Sequence, residues 1–278
     1  MLRSACIFFF LIFLAQAVIG QTTGPENGSL VIVGGGGATD AILEKFIELA
    51  GGPENDLVVI PTAAGRDSYD QDAGIADRLR GLGAENVVVW HTNDRSQADD
   101  ASFTQPLAEA RGIWFGGGRQ WRLVDAYAGT RAEDLFHNLL KEGGVIGGSS
   151  AGASIQGSYL VRGDTEDNQI MMGDHEVGFG FIENIAIDQH VLARNRHFDL
   201  FEILDAKPGL LGVGIDEKTA MIVQGDVFEV MGPSYVLVYD DQFWSREGSD
   251  LKKLPEADRR FYFLREGDRY DMRNREKL

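Results

Sequence analysis

A chain of 278 residues, 44% of them hydrophobic, has enough material for a large α/β core. Its formal charge of −17 works against partnership with nucleic acid or an anionic membrane surface. The one cysteine, Cys6, falls in a leader-like segment, so the mature chain is expected to lack any thiol, disulfide or cysteine nucleophile, and a nucleophile must be an oxygen.

In chain order, residues 1–20 begin with Arg3, run apolar from Ala5 to Leu14 and end on the small residues Ala15, Ala17 and Gly20. That is the pattern of a secretory signal, with cleavage after Ala17 or Gly20. The apolar run is about half the ~20 residues that a spanning helix needs. The expectation is a secreted or periplasmic protein, with a leader over 1–20 and a single α/β domain over 21–278. Asn27-Gly28-Ser29 is a glycosylation sequon, relevant only in a host that glycosylates.

"SLVIVGGGG" (29–37) reads as a buried strand ending in glycines. "ATDAILEKFIELAGG" (38–52) reads as an amphipathic helix with Ile42, Phe46, Ile47 and Leu49 on its apolar face. "DLVVIPTAAG" is a second strand, "YDQDAGIADRLRGLG" a helix and "ENVVVWHT" a third strand. Residues 96–112 read as helical, "IWFGGG" as a strand, "RQWRLVDAYAGT" and "AEDLFHNLLKEGG" as helices, and "GVIGG" as a strand. Strands that alternate with helices, and are apolar along their whole length, predict a mostly parallel sheet with helices on both faces. Later, "AMIVQGDVFEVMG" and "SYVLVYD" read as antiparallel strands at a sheet edge. The mixed-charge tail (259–277) reads as a solvated edge.

The first glycine run lacks the third glycine of a dinucleotide fingerprint, because Thr39 or Asp40 stands there, and no phosphate-loop lysine follows. It reads as a strand-to-loop turn near the active face, with no cofactor; a cofactor site there is the alternative.

"VIGGSSAGASIQG" (145–157) carries two adjacent serines among glycines. A catalytic serine on an α/β sheet sits on a sharp strand-to-helix turn, G-x-S-x-G, whose flanking positions must be nearly bare. Gly148-Ser149-Ser150-Ala151-Gly152 fits with Ser150 at the centre; centring on Ser149 fails because Ala151 takes the second glycine place. The Ala151 N–H is then the natural first oxyanion donor, with Gly117 or Gly118 of "FGGGRQ" supplying a second. Five histidines are available, and His190 is the best base: "IDQHVLARNR" gathers Asp188, Gln189, His190, Arg194 and Arg196 after an apolar run. The third group of such a triad is a carboxylate. "GIDEKTA" offers Asp216 and Glu217, between which the residues alone do not choose.

Together "FGGGRQ", "GGSSAGA", "DQH" followed by "RNR", "GIDEKTA" and "GDRYDM" resemble, in order and spacing, the cyanophycinase and aspartyl-dipeptidase family of serine peptidases. The resemblance implies a class I glutamine amidotransferase-like fold and cleavage beside aspartyl or β-aspartyl groups, with no metal. It implies Ser150 as nucleophile, His190 as base and Glu217 as its carboxylate. It implies Gln120, Asp188, Gln189, Arg194 and Arg196 at substrate-binding positions and a peptide substrate; the sequence leaves the oligomeric state open, a homodimer included. Departures are Arg119 before Gln120, Ser149 where Thr is common, and Asp199 near the place of a further Arg. They leave the machinery intact and weaken the case for cyanophycin itself as substrate. A general aspartyl dipeptidase and a noncatalytic peptide-binding relative are the alternatives.

Overall fold

The computed structural model describes residues 21–72, 74–242, 244 and 260–278. The leader expected over 1–20, and Cys6 with it, lies outside them. Among the described residues no helix is long and apolar enough to cross a membrane.

The first half alternates as the periodicity requires: β1 (Ser29–Val33), α1 (Asp40–Leu49), β2 (Asp56–Ile60), α2 (Ile75–Gly81), β3 (Asn86–Val89), α3 (Arg95–Asp99), α4 (Gln105–Glu109), β4 (Gly112–Phe115), α5 (Trp121–Tyr127), α6 (Arg131–Lys141), β5 (Val145–Ser149) and α7 (Ala151–Ser154). The second half is strand-rich: β6 (Gly157–Tyr159), β7 (Ile182–Gln189), α8 (Leu200–Ala206), β8 (Leu211–Ile215), β9 (Ala220–Gln224), β10 (Val227–Met231), β11 (Tyr235–Tyr239), β12 (Tyr262–Arg265), β13 (Arg269–Asp271) and β14 (Glu276–Lys277).

The main sheet has the order β14-β13-β10-β9-β1-β5-β4-β2-β3. From β1 to β3 it is parallel; from β9 outward it is antiparallel. Consecutive residues of β4 show why both faces are covered. Side chains alternate across a strand, so Trp114 meets Phe46 of α1 on one face (ring centroids 5.1 Å apart) and Phe115 meets Phe136 of α6 on the other (5.1 Å). Thr39 caps α1 by accepting the Ile42 N–H at 3.3 Å. The buried face of that helix holds Ile42, Leu43, Phe46 and Ile47, with Leu49 partly buried.

Three features differ from the sequence expectation. Residues 96–112 form two short helices, because the Asp100 carboxylate accepts the N–H groups of Ser102 (3.0 Å) and Phe103 (2.7 Å) and turns the chain between them. A second sheet, β12-β11-β8-β7-β6, stands beside the main one. The tail is also less solvated than its charges suggest. Tyr262 and Tyr270 are buried and both donate to the Asp240 carboxylate at 2.8 Å, the aromatic bodies supplying core and the hydroxyls satisfying a buried acid.

Candidate active site

Ser150 sits at the end of β5 with φ 57° and ψ −111°, a conformation that a non-glycine residue holds only where its surroundings enforce it. Both flanking glycines are required by contact. A Cβ on Gly148 would fall 2.2 Å from the Gly152 carbonyl oxygen, and one on Gly152 would fall 2.2 Å from that of Phe115. The helix after the serine is a single turn, so its dipole adds less to the site than a long helix would.

The Ser150 Oγ lies 3.0 Å from His190 Nε2, and His190 Nδ1 lies 2.6 Å from Glu217 Oε1. The residue just after β5 supplies the serine, the residue just after β7 the imidazole and the turn after β8 the carboxylate. Asp216, the other acid left open by the sequence, takes a different position. It accepts the N–H groups of Leu192 (3.1 Å) and Ala193 (2.9 Å) and the Ser234 hydroxyl (2.6 Å), so it braces the segment after His190.

One short piece of backbone touches all three side-chain positions. The Val33 carbonyl accepts the Ser150 N–H (3.0 Å), the Gly34 carbonyl accepts the His190 N–H (2.8 Å), and the Gly35 carbonyl accepts the Lys218 N–H next to Glu217 (2.8 Å). Gly35 and Gly36 have φ of 121° and 65° and lie against His190 and Glu217. The first glycine run is thus a turn at the site, as its sequence suggests, but its role as a clamp was not legible there.

Gly116 and Arg119 donate their N–H groups to the Ile60 (2.9 Å) and Ala63 (2.8 Å) carbonyls. The N–H groups of Gly117, Gly118 and Ala151 have no backbone partner outside regular elements among the described residues. A Cβ on Gly117 would come 3.4 Å from that of Ser150, which locates the loop directly beside the serine.

The residues expected to bind substrate divide into two groups. Arg194 is exposed and lines the cleft beside Ser150. Gln120, Asp188, Gln189 and Arg196 are buried and engaged with protein. The Gln120 amide nitrogen donates to the Val161 (2.6 Å) and Arg162 (2.8 Å) carbonyls. Asp188 forms a two-point pair with Arg162, at 2.9 and 3.0 Å. Arg162 also reaches Asp199 at 2.6 Å, so the family departure at Asp199 supplies a second acid to a buried cation. Arg196 donates to the Gln189 side-chain oxygen at 3.2 Å. Burial, then the nearby Arg162 charge, pulls the Arg196 guanidinium below its ordinary pKa. Arg162 was missed by sequence reasoning; its signal was a lone charge closing the apolar run "SYLV".

Burial lowers the His190 pKa below 6.5; the Glu217 hydrogen bond opposes this, and the Arg194 and Arg196 charges add to it. The other imidazoles sit elsewhere. His91 contacts Thr62 at 2.8 Å, His137 packs on Phe181 at 5.1 Å, and His175 bridges Asp125 (2.8 Å) and Asp174 (3.0 Å).

An α/β sheet presenting a serine on a strand-to-helix elbow, with an imidazole in contact, has the geometry of a serine hydrolase. Comparison with known proteins narrows the class. The family described as "Peptidase family S51" matches residues 30–231, and the chain belongs to that family. It is 31% identical over 265 residues to a cyanophycinase of Geminocystis herdmanii, covering 91% of this chain and 96% of that one. It is 29% identical over 269 residues to a cyanophycinase of Thermosynechococcus vestitus, covering 92% and 83%. A solved peptidase from an acI-B1 actinobacterium aligns with TM-score 0.62 at 25% identity, covering 89% of this chain and 98% of that one.

Proposed function

We propose that this peptidase hydrolyses aspartyl or β-aspartyl peptide bonds by acyl transfer through Ser150, His190 and Glu217, and that it acts outside the cytoplasm after loss of residues 1–20. The observation that carries the mechanism is the unbroken contact from Ser150 Oγ through the imidazole to Glu217 Oε1.

In this reading Nδ1 carries the proton and donates to Glu217, which leaves Nε2 free to take the Ser150 proton. The Ser150 oxygen attacks the amide carbonyl, and the oxyanion is held by the Ala151 N–H and by Gly117 or Gly118. His190 protonates the leaving amine. Water, deprotonated by the same nitrogen, then releases the acid and regenerates the serine.

A specific observation favours short aspartyl peptides over cyanophycin. Arg196 and Gln189 are bonded to each other, and an acid, Asp199, stands where a further cation is usual. A fluorophosphonate probe is expected to label the mature protein and to fail on Ser150→Ala. Hydrolysis assays against β-Asp-Arg polymer and against short α- and β-aspartyl peptides then separate the substrates. A Ser150→Ala enzyme that keeps most of its activity overturns the mechanism. Probe-inert protein that binds but never cleaves these peptides supports a noncatalytic relative instead. N-terminal sequencing of the exported form checks the leader.

A further inference from the structure

A cleft of about 510 Å³ opens beside Ser150 and His190 and extends over the parallel half of the sheet toward the loop between β2 and α2. Pro61, Ala64 and Ile75 give it an apolar surface above the buried Val59 and Trp114, and Tyr69 forms a side wall. The wall is held: the Tyr69 hydroxyl accepts the Arg66 N–H at 3.0 Å, and the ring packs edge-on against His91 at 4.8 Å.

Two cations line this cleft, Arg66 and Arg194. Neither guanidinium has a hydrogen-bond or ion-pair partner among the described residues, and no carboxylate among those residues lines the cleft. Asp67, Asp70 and Asp72 belong to the same loop but are exposed outside the lining, and Asp72 pairs with Arg80 at 3.3 Å. This contrasts with the buried Arg162 and Arg196, whose charges already meet protein acceptors. Unpartnered guanidiniums beside an apolar surface fit one kind of group well, an apolar body ending in a carboxylate.

We propose that this cleft receives the leaving residue of the substrate, an amino acid with an apolar side chain and a free α-carboxylate held by Arg66 and Arg194. The proposal rests on the peptidase reading of Ser150 and His190. The leaving nitrogen must lie where His190 can protonate it, and the His190 ring itself lines this cleft. The short aspartyl side chain, with one methylene, leaves the apolar surface unused, so it is the poorer occupant. A leaving arginine would bring a third guanidinium against two. Arg66 is therefore a specificity-determining residue on a loop that the family's recognised motifs in this chain do not include.

The test compares β-Asp-Leu, its C-terminal amide and β-Asp-Arg. Wild-type kcat/KM should favour the free acid over the amide by about 10-fold or more, as for a charge-assisted contact. It should favour leucine over arginine by a similar factor. Arg66→Ala should bring the acid-to-amide ratio to within about threefold, and Arg66→Lys should restore part of it. Equal rates on acid and amide, or β-Asp-Arg as the best substrate, overturn the proposal. So does an Arg66→Ala variant that loses discrimination between Asp and Asn on the acyl side while keeping the acid-to-amide ratio. Calorimetry of the same three peptides on Ser150→Ala separates the two ideas. Preferential binding of the free acid without wild-type hydrolysis would sink the peptidase reading and leave the subsite standing. Hydrolysis without preference would do the reverse.

Discussion

Gly35 lies flat against the His190 ring: a Cβ built on it would come 2.1 Å from Cε1 and 2.5 Å from Nε2. No side chain fits there, and the φ of 121° is costly for any residue but glycine. Gly35→Ala must therefore push the imidazole off the serine. A displacement near 1 Å costs on the order of 10²-fold in turnover, so kcat should fall by at least that factor. Gly37→Ala is the control. Its Cβ meets nothing within 4 Å although φ is 81°, so it carries backbone strain alone. It should melt slightly lower and keep kcat within a few-fold of wild type. Steady-state kinetics with thermal melts check both; equal kcat in the two variants counts against the clamp.

The pH profile follows from the imidazole. Burial holds His190 below its ordinary 6.5, and Glu217 partly restores it. A base must be neutral to accept a proton, so kcat/KM should climb as pH rises through the lowered value and be level above about 6.5. Glu217→Gln removes the opposing charge. It should move that acid limb to lower pH while reducing kcat by up to about 10⁴-fold. Arg194→Ala should move the limb upward. Stability carries the matching sign: the neutral buried imidazole supports the fold above 6.5 and its contribution is lost as pH falls through the folded-state value.

Asp188 is fully buried and faces Arg162, with the Arg196 charge close by. Asp188→Ala should cost about 3–5 kcal/mol, because breaking a buried pair strands its cation. A urea titration should show the midpoint falling with an unchanged slope. A loss under 1 kcal/mol would mean that water or Asp199 neutralises Arg162 unaided.

His175 ties the segment 163–176 to α5. Partial desolvation lowers its pKa, but hydrogen bonds to Asp174 and Asp125 outweigh this and raise it above 6.5. Asp174 is correspondingly held down to about 2, first by the Thr165 hydroxyl and then by His175. The tie is complete below 6.5 and weakens as pH rises through the folded-state value. Hydrogen exchange over 163–176, corrected for intrinsic rates, should therefore be faster at pH 8 than at pH 6. His175→Asn should erase the difference.

The periodic parts were readable from the chain because local rules decide them. β1 and β4 are largely apolar runs that lead into glycines, β5 carries its glycines just before Ser149, and α1 and α6 carry one apolar face. Ser150 was readable because an elbow tolerates so few residue types at 148 and 152. The break near Asp100 was not, since a side chain capturing two N–H groups competes with helix period without altering it. The acid in contact with His190 was legible only through resemblance: Asp216 and Glu217 are adjacent, and the choice depends on which way β8 leaves its sheet. The engagement of Gln120 and Arg196 depends on segments about 41 and 7 residues away, which no local pattern encodes.

The position of β1 bears on how the molecule is made. Its neighbours are β5, beginning at Val145, and β9, beginning at Ala220, so Ser29 pairs with Val145 on one side and Gln224 on the other. During synthesis this strand, buried along its whole length in the fold, leaves the ribosome long before either partner exists. Contacts of such separation form slowly. The same strand leads straight into the clamp at Gly34–Gly36, so the contact of Ser150, His190 and Glu217 cannot assemble until more than two hundred residues have been made.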